Sequence, residues 1–480
     1  MRNQGGINVK KTKIIATMGP SSEQQHVFEH MIEAGVNIIR LNCSYGNYEQ
    51  QLDRIKMIRE YRNRTKKPIA ILLDIRGPEI RTQSFKGGQA MIQQGAQFIL
   101  TTRDVVGTNT ICSITYKGLP EDIKVGDKVL INDGIVLLEV KHIEGTEIVC
   151  VVLTGGLIRE NARVKVPGVA VKLPSITQND IEDIEFAINN GVDFIGASFV
   201  HGASCVQEIK QILKDKDATD IKVISKIGCK DGIDNLDAII KESYGIIVAR
   251  GELGLELPIA KVPIMQKRII EKCNRAGRPV IIATHVLDSM SSNPMPTRAE
   301  VTDTANAIYD GADAVMLSGE TANGKYPVLA VSTMTEIICA AEQERDYPAI
   351  LEQKRPYKEL GIAETVSFAT CNSASDLGAK AIICPTNSGF TAGMVAKFRP
   401  ESPIFALVSN KRIQRAINLY SGVEPIVFAH RGDIEQFMTE AVDILKEEKF
   451  IEKDDIVLIT AGLPYIKSKI TNTMKVHVVD

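Results

Sequence analysis

The 480-residue chain has no tryptophan, no paired cysteines and no excess of charge of either sign. Its nine cysteines are scattered singly from Cys43 to Cys384 without a CxxC spacing, which argues against a disulfide framework or a zinc site. A formal net charge of −2 gives no electrostatic case for nucleic acid or a membrane surface as partner. No apolar run is long enough to span a bilayer. The stretch from Met1 to Lys11 is polar and basic and lacks the apolar core of a secretory leader, so a cytoplasmic location is expected. No GxGxxG fingerprint and no nucleophile–histidine pairing is visible, which disfavours hydride and acyl transfer.

What the chain does contain is alternation. Eight short, almost wholly apolar runs punctuate the first 340 residues: 13–18, 36–42, 69–74, 194–200, 222–227, 245–249, 279–284 and 314–317. Each ends in a polar or glycine-rich turn, and amphipathic segments separate them. Strands apolar on both faces belong to a parallel sheet, and eight such units predict a closed α/β (β/α)8 TIM barrel, an open doubly wound sheet being the alternative. The rhythm breaks between Gly77 and Lys172, where strand-like runs at 97–101, 128–132, 134–140 and 147–153 follow each other closely and predict an inserted all-β lid. A charged segment at 344–361 with Pro348 and Pro356 reads as a linker, after which β/α alternation resumes. The expected division is a barrel over 1–77 and 173–345, a lid over 78–172 and a C-terminal α/β body over 346–480.

The C-terminal ends of barrel strands converge on one mouth, so the polar residue closing each run matters most. Those residues are Arg40, Asn42, Ser44, Asp74, Arg76, Ser198, Lys226, Arg250, Glu252, Thr284, Ser318 and Glu320. Several cations beside a few carboxylates and hydroxyls suit a phosphorylated anion handled with metal ions, since phosphoryl transfer is mostly positioning and charge neutralisation.

The same segments carry a resemblance. TKIIATMGPSS (12–22), RLNCS (40–44), LDIRGPEIRT (73–82), ISKI (224–227), VARGELG (248–254), PTRAE (296–300) and MLSGET (316–321) together resemble the pyruvate kinase family, in order and through nearly the whole chain. The resemblance implies phosphoryl transfer from phosphoenolpyruvate to ADP, giving pyruvate and ATP, with Mg2+ (or Mn2+) and K+ as cofactors and a homotetrameric assembly. It implies Lys226, Arg40 and Thr284 as catalytic residues, and Ala249, Arg250, Gly251, Thr284 and Arg81 as substrate-binding residues. Asn42, Ser44, Asp74 and the carbonyl of Ile75 would hold K+, and Glu79 matches family members that require it. A phosphorylated effector is expected at Thr386, Asn387, Ser388, Gly389 and Thr391, with Lys467 and Lys469 on a second loop.

The family pattern also fails in places. The family holds Mg2+ with a Glu two residues after the catalytic lysine and an Asp in the following Arg-Gly-Asp turn. Here those positions are Gly228 and Glu252, leaving Glu252 as the Mg2+ ligand and Asp231 as a candidate substitute. Arg76, Tyr45, Lys165, Lys172, His201, His285 and Val286 are further departures. The alternative function is a catalytically weakened paralogue that binds phosphoenolpyruvate or a sugar phosphate.

Overall fold

The computed structural model describes residues 10–132, 134–169, 171–355, 361–428, 434–463 and 470–480. All eight expected barrel runs are strands: β1 Lys13–Thr17, β2 Ile38–Asn42, β3 Ala70–Asp74, β4 Phe194–Ala197, β5 Lys222–Ile227, β6 Gly245–Ala249, β7 Val280–Ala283 and β8 Ala314–Leu317. They close into a barrel in chain order, with β1 pairing in parallel with both β8 and β2. Alternate residues pack inward and outward. Ile15, Ile38, Leu72, Phe194, Ile224, Ile247, Ile281 and Met316 fill the interior, while Ile14, Ile39, Leu73, Ile195, Val223, Val248, Ile282 and Val315 pack against the helices. Burial on both faces is why the strands read as unbroken apolar runs.

Local signals place the surrounding helices. Those at Tyr48–Thr65, Gln178–Asn189 and Arg298–Asp310 each start at a reciprocal capping box, made by Asn47 with Gln50, Thr177 with Asp180 and Thr297 with Glu300.

Between β3 and β4 lie a seven-stranded sheet and a two-stranded ribbon around their own apolar core. The four expected lid runs are all strands. Five more, Ile80–Arg81, Gln89–Ile92, Ile111–Ser113, Gly156–Arg159 and Arg163–Lys165, span two to four residues. That is too short to show a period of two.

The segment expected as a linker contains a helix, Tyr347–Gln353. Pro348 sits in its first turn, where a missing N–H costs nothing, and Asp346 caps it by accepting from the Ala349 amide. The C-terminal body is a five-stranded sheet in the order 423–427, 404–408, 381–385, 456–461, 473–478, the last strand antiparallel.

That body docks on the N-terminal end of the barrel through buried charges. Arg399 grips the Asp313 carboxylate just before β8, at 2.7 and 2.8 Å. Arg415 and Arg62 share Asp193, just before β4, at 2.6 and 2.9 Å. Lys13, fully buried at the start of β1, reaches Glu424 at 2.9 Å and the Val423 carbonyl at 2.8 Å. Among the described residues no helix is long and apolar enough to cross a membrane.

Candidate active site

Strand parity decides what faces the mouth. Counting two or four residues on from the inward apolar positions brings Thr17, Arg40, Asn42, Asp74, Ser198, Lys226 and Ser318 to the open end. There a cavity of about 1090 Å³ is lined by Arg40, Asn42, Ser44, Lys226, Ala249, Arg250, Gly251, Glu252 and Thr284, with Tyr45, Glu79, Arg163, Phe199 and His285 among the others.

The charges are tightly organised. Lys226 Nζ donates to Ser198 Oγ at 3.2 Å and lies 3.5 Å from Asp74 Oδ2 and 3.9 Å from Glu252 Oε1. Arg40 is held beside it, donating from Nε to Asp74 at 2.8 Å and from NH1 to Thr17 Oγ1 at 3.1 Å. Asp74 is therefore the anion that fixes both cations from below. Its second oxygen, Oδ1, is buried without a partner, in space that β4 leaves open because residue 196 is glycine.

Thr284 is held in a strained turn. Its φ is +65° and that of His285 is +50°, unusual for side chains larger than glycine and most of all for a β-branched one. The Arg250 guanidinium holds this turn: Nε and NH2 donate to the Thr284 carbonyl at 3.0 and 2.8 Å, NH2 donates to the His285 carbonyl at 2.7 Å, and NH1 pairs with Asp303. Thr284 Oγ1 in turn accepts from the Gly251 amide at 2.8 Å.

The 12-to-331 stretch that builds this mouth is matched by the family model described as "Pyruvate kinase, barrel domain", over residues 9–331, and residues 364–477 match "Pyruvate kinase, alpha/beta domain". The chain belongs to the pyruvate kinase family. It is 42% identical over 473 residues to a pyruvate kinase of Clostridium acetobutylicum, covering 98% of this chain and all of that protein. A Geobacillus stearothermophilus pyruvate kinase is 44% identical over 98% of this chain and 80% of its own length. In three dimensions the chain is similar to a crystal structure of a Cryptosporidium parvum pyruvate kinase, with a TM-score of 0.92 and 37% identity over 98% of this chain and 96% of that one.

Several family-derived expectations land elsewhere. Arg81 does not line the cavity: it sits on a lid strand, paired with Glu79 and donating to the Asn161 carbonyl at 2.8 Å. Arg163, its strand neighbour, lines the cavity and meets Glu79 at 2.6 Å. Arg250 lines the cavity, where its backbone was expected to serve, and its guanidinium holds the turn. Asp231 is exposed at the start of the helix Lys230–Asp234 and does not line the cavity.

Asp74 and Ile75 lie just under the lining, and the Ile75 carbonyl accepts from Ser198 Oγ at 2.9 Å. Asn42 Oδ1 accepts from the Ser44 amide at 3.0 Å. Thr386, Asn387, Ser388, Gly389 and Thr391 form a separate turn after the strand Ala381–Pro385. There Thr386 Oγ1 accepts from the Gly389 amide at 3.0 Å, and Thr391 bonds Thr471 at 2.9 Å. Lys467 and Lys469 lie outside the described residues.

Among the family departures, Lys165 faces Glu256 at 3.5 Å, and burial raises the Glu256 pKa above the usual carboxylate value. Lys172 is mostly exposed beside Asp122 at 3.6 Å, Arg76 pairs with Asp183 at 2.7 Å, and His201 lies 3.6 Å from Cys205 Sγ. Thr17, Arg163 and Phe199 had not been singled out, although Thr17 shares the inward parity that pointed to Arg40.

For a divalent cation the donor set is thin. No group of three or more His, Cys, Asp or Glu side chains that could hold a metal is found among the described residues. Glu252 Oε2, however, is a buried oxygen without a hydrogen-bond partner, which fits a cation as its complement.

Proposed function

We propose that this chain performs the pyruvate kinase reaction, moving the phosphoryl group of phosphoenolpyruvate to ADP. The observation that carries the reading is Lys226, whose ammonium lies in the barrel mouth among Ser198, Asp74 and Glu252, with Arg40 held alongside. Two cations side by side neutralise charge on a phosphoryl group passing between oxygens, which is most of what this chemistry asks of a protein. Lys226 and Arg40 bind the transferring group. Thr284, at the rim, would turn its hydroxyl, which donates to the Ala283 carbonyl at 2.6 Å, toward the substrate carbon that must accept a proton to become the methyl of pyruvate. The Ala249–Gly251 backbone orients the substrate carboxylate.

Glu252 is the residue that would hold Mg2+ or Mn2+, and the ion would supply further charge neutralisation on substrate oxygens. Asn42, Ser44, Asp74 and the Ile75 carbonyl offer the hard oxygens that K+ takes, an assignment supported by the unpartnered Asp74 Oδ1. We further read the chain as a cytoplasmic homotetramer of barrel (1–77, 173–345), lid (78–172) and C-terminal body (346–480), with a phosphorylated effector at the 386–391 turn.

The test is a coupled assay of pyruvate formation with phosphoenolpyruvate, ADP, Mg2+ and K+. Lys226→Ala is expected to lose at least 1,000-fold in kcat, about 4 kcal/mol of barrier. Wild-type turnover no faster than that variant overturns the reading in favour of a binding protein.

A further inference from the structure

We propose that Gly228 and Glu252 are a mutually exclusive pair, in which one long carboxylate replaces two short-range metal ligands. The inference rests on the phosphotransfer reading above, but not on its rate. Gly228 directly follows β5 and Glu252 lies in the first turn after β6, the strand paired with β5, so the two residues are neighbours at the mouth. Gly228 has no positive φ, so its backbone does not demand glycine. Space does. A Cβ at position 228 would collide with Glu252 Oε2 and lie 2.8 Å from Glu252 Cβ, closer than real side chains approach, and 3.2 Å from its Cδ, a tight contact. The Glu252 side chain therefore lies across the glycine, in the volume that a carboxylate at 228 would need.

The charges agree with this exclusion. Glu252 Oε1 faces Lys226, whereas Oε2 is buried and unpartnered. A buried carboxylate oxygen left without a donor is costly, and a cation is the partner that removes the cost. Glu256, one turn further on, is committed to Lys165, and Asp231 is turned out to solvent. The other carboxylates lining the mouth, Glu23, Glu79 and Asp303, are paired with arginines, so Glu252 would hold the divalent ion alone on the protein side, with water and substrate oxygens supplying the remaining ligands. Adding a carboxylate at 228 to the chain as it stands displaces Glu252 instead of adding a ligand.

The experiment is Mn2+ titration of the full chain with and without phosphoenolpyruvate, following the free-ion electron paramagnetic resonance signal, with circular dichroism as the check on folding; no Mn2+ binding by wild type in either condition overturns the pair. Glu252→Gln, equal in size, is expected to abolish binding. Gly228→Ala is expected to weaken it at least tenfold by pushing Glu252 aside. Gly228→Glu alone is expected to bind no better than wild type, while Gly228→Glu with Glu252→Asp binds at least tenfold tighter than either single variant, a non-additive result diagnostic of a shared site. The pair is overturned if Glu252→Gln and Gly228→Ala keep wild-type affinity, or if Gly228→Glu alone gains as much as the double variant. Wild-type turnover with Mn2+ binding indifferent to both positions refutes the pair and leaves the activity; the expected binding pattern without turnover refutes the activity and leaves the pair.

Discussion

Arg250 was expected to meet substrate through its backbone, and its guanidinium holds the Thr284–His285 turn; a side chain that holds the turn and one that touches substrate predict different kinetics. Residues with left-handed φ cost about 1–3 kcal/mol each when they carry side chains, and two stand in succession here. Three hydrogen bonds from the Arg250 guanidinium to the two carbonyls contribute about 1.5–3 kcal/mol each, enough to hold the turn. Arg250→Lys keeps the charge but cannot reach both carbonyls and Asp303 at once, because an ammonium lacks the planar fork. The turn then relaxes and Thr284 moves. A shift of about 1 Å in a catalytic group costs roughly 100-fold, or about 2.7 kcal/mol. Steady-state kinetics are therefore expected to show kcat about 100-fold lower with KM for phosphoenolpyruvate changed less than threefold. A variant with wild-type kcat and a raised KM would refute the argument and return Arg250 to direct substrate binding.

Other outcomes follow from the same geometry. Rates in K+ are expected to exceed those in tetramethylammonium at equal ionic strength, because Asp74 Oδ1 is left without a partner; equal rates would remove the K+ assignment. Burial, with the Arg399 cation second, lowers the Lys354 pKa from 10.5 to about 7. The unfolded chain then holds the extra proton between about pH 7 and 10.5, so this group's contribution makes stability rise with pH across that window. Thermal midpoints of Lys354→Met should exceed wild type by more at pH 7 than at pH 10, and an identical gap at both refutes the assignment. Calorimetry with phosphorylated sugars and nucleotides is expected to find binding that Ser388→Ala and Thr391→Ala weaken; binding unchanged in both variants, or none at all, removes the effector turn.

The barrel was legible because its strands are buried on both faces, which writes each as an apolar run ended by a polar residue. The same rule carried the site: Arg40, Asp74 and Lys226 follow an inward apolar residue by two positions. It failed where elements are short, as in the lid strand Ile80–Arg81, or where a proline sits in a helix's first turn, as Pro348 does. Partners across the chain were not legible at all. Nothing in the run Glu79-Ile-Arg81 says that Arg81 turns to Asn161 while Arg163, eighty residues on, takes the cavity side. Nothing local to Arg250 announces Asp303. That the Glu252 side chain lies across Gly228 was not legible either, because packing between two strand ends is written in neither motif.

The docking at the barrel's closed end makes the molecule less divisible than its sequence units suggest. Lys13, Asp193 and Asp313 are buried charges whose partners Glu424, Arg415 and Arg399 arrive from the other body. Removing one partner of a buried pair costs about 3–5 kcal/mol. Asp193 keeps Arg62 from the barrel, but losing the partners of Lys13 and Asp313 together still approaches the whole stability of an ordinary folded chain, about 5–15 kcal/mol. A barrel cut free after residue 345 would be left with orphaned charges at the feet of β1 and β8 and a half-satisfied Asp193 at the foot of β4. Recombination between relatives at that junction would have to carry both halves of each ion pair, so the two bodies are bound to change together.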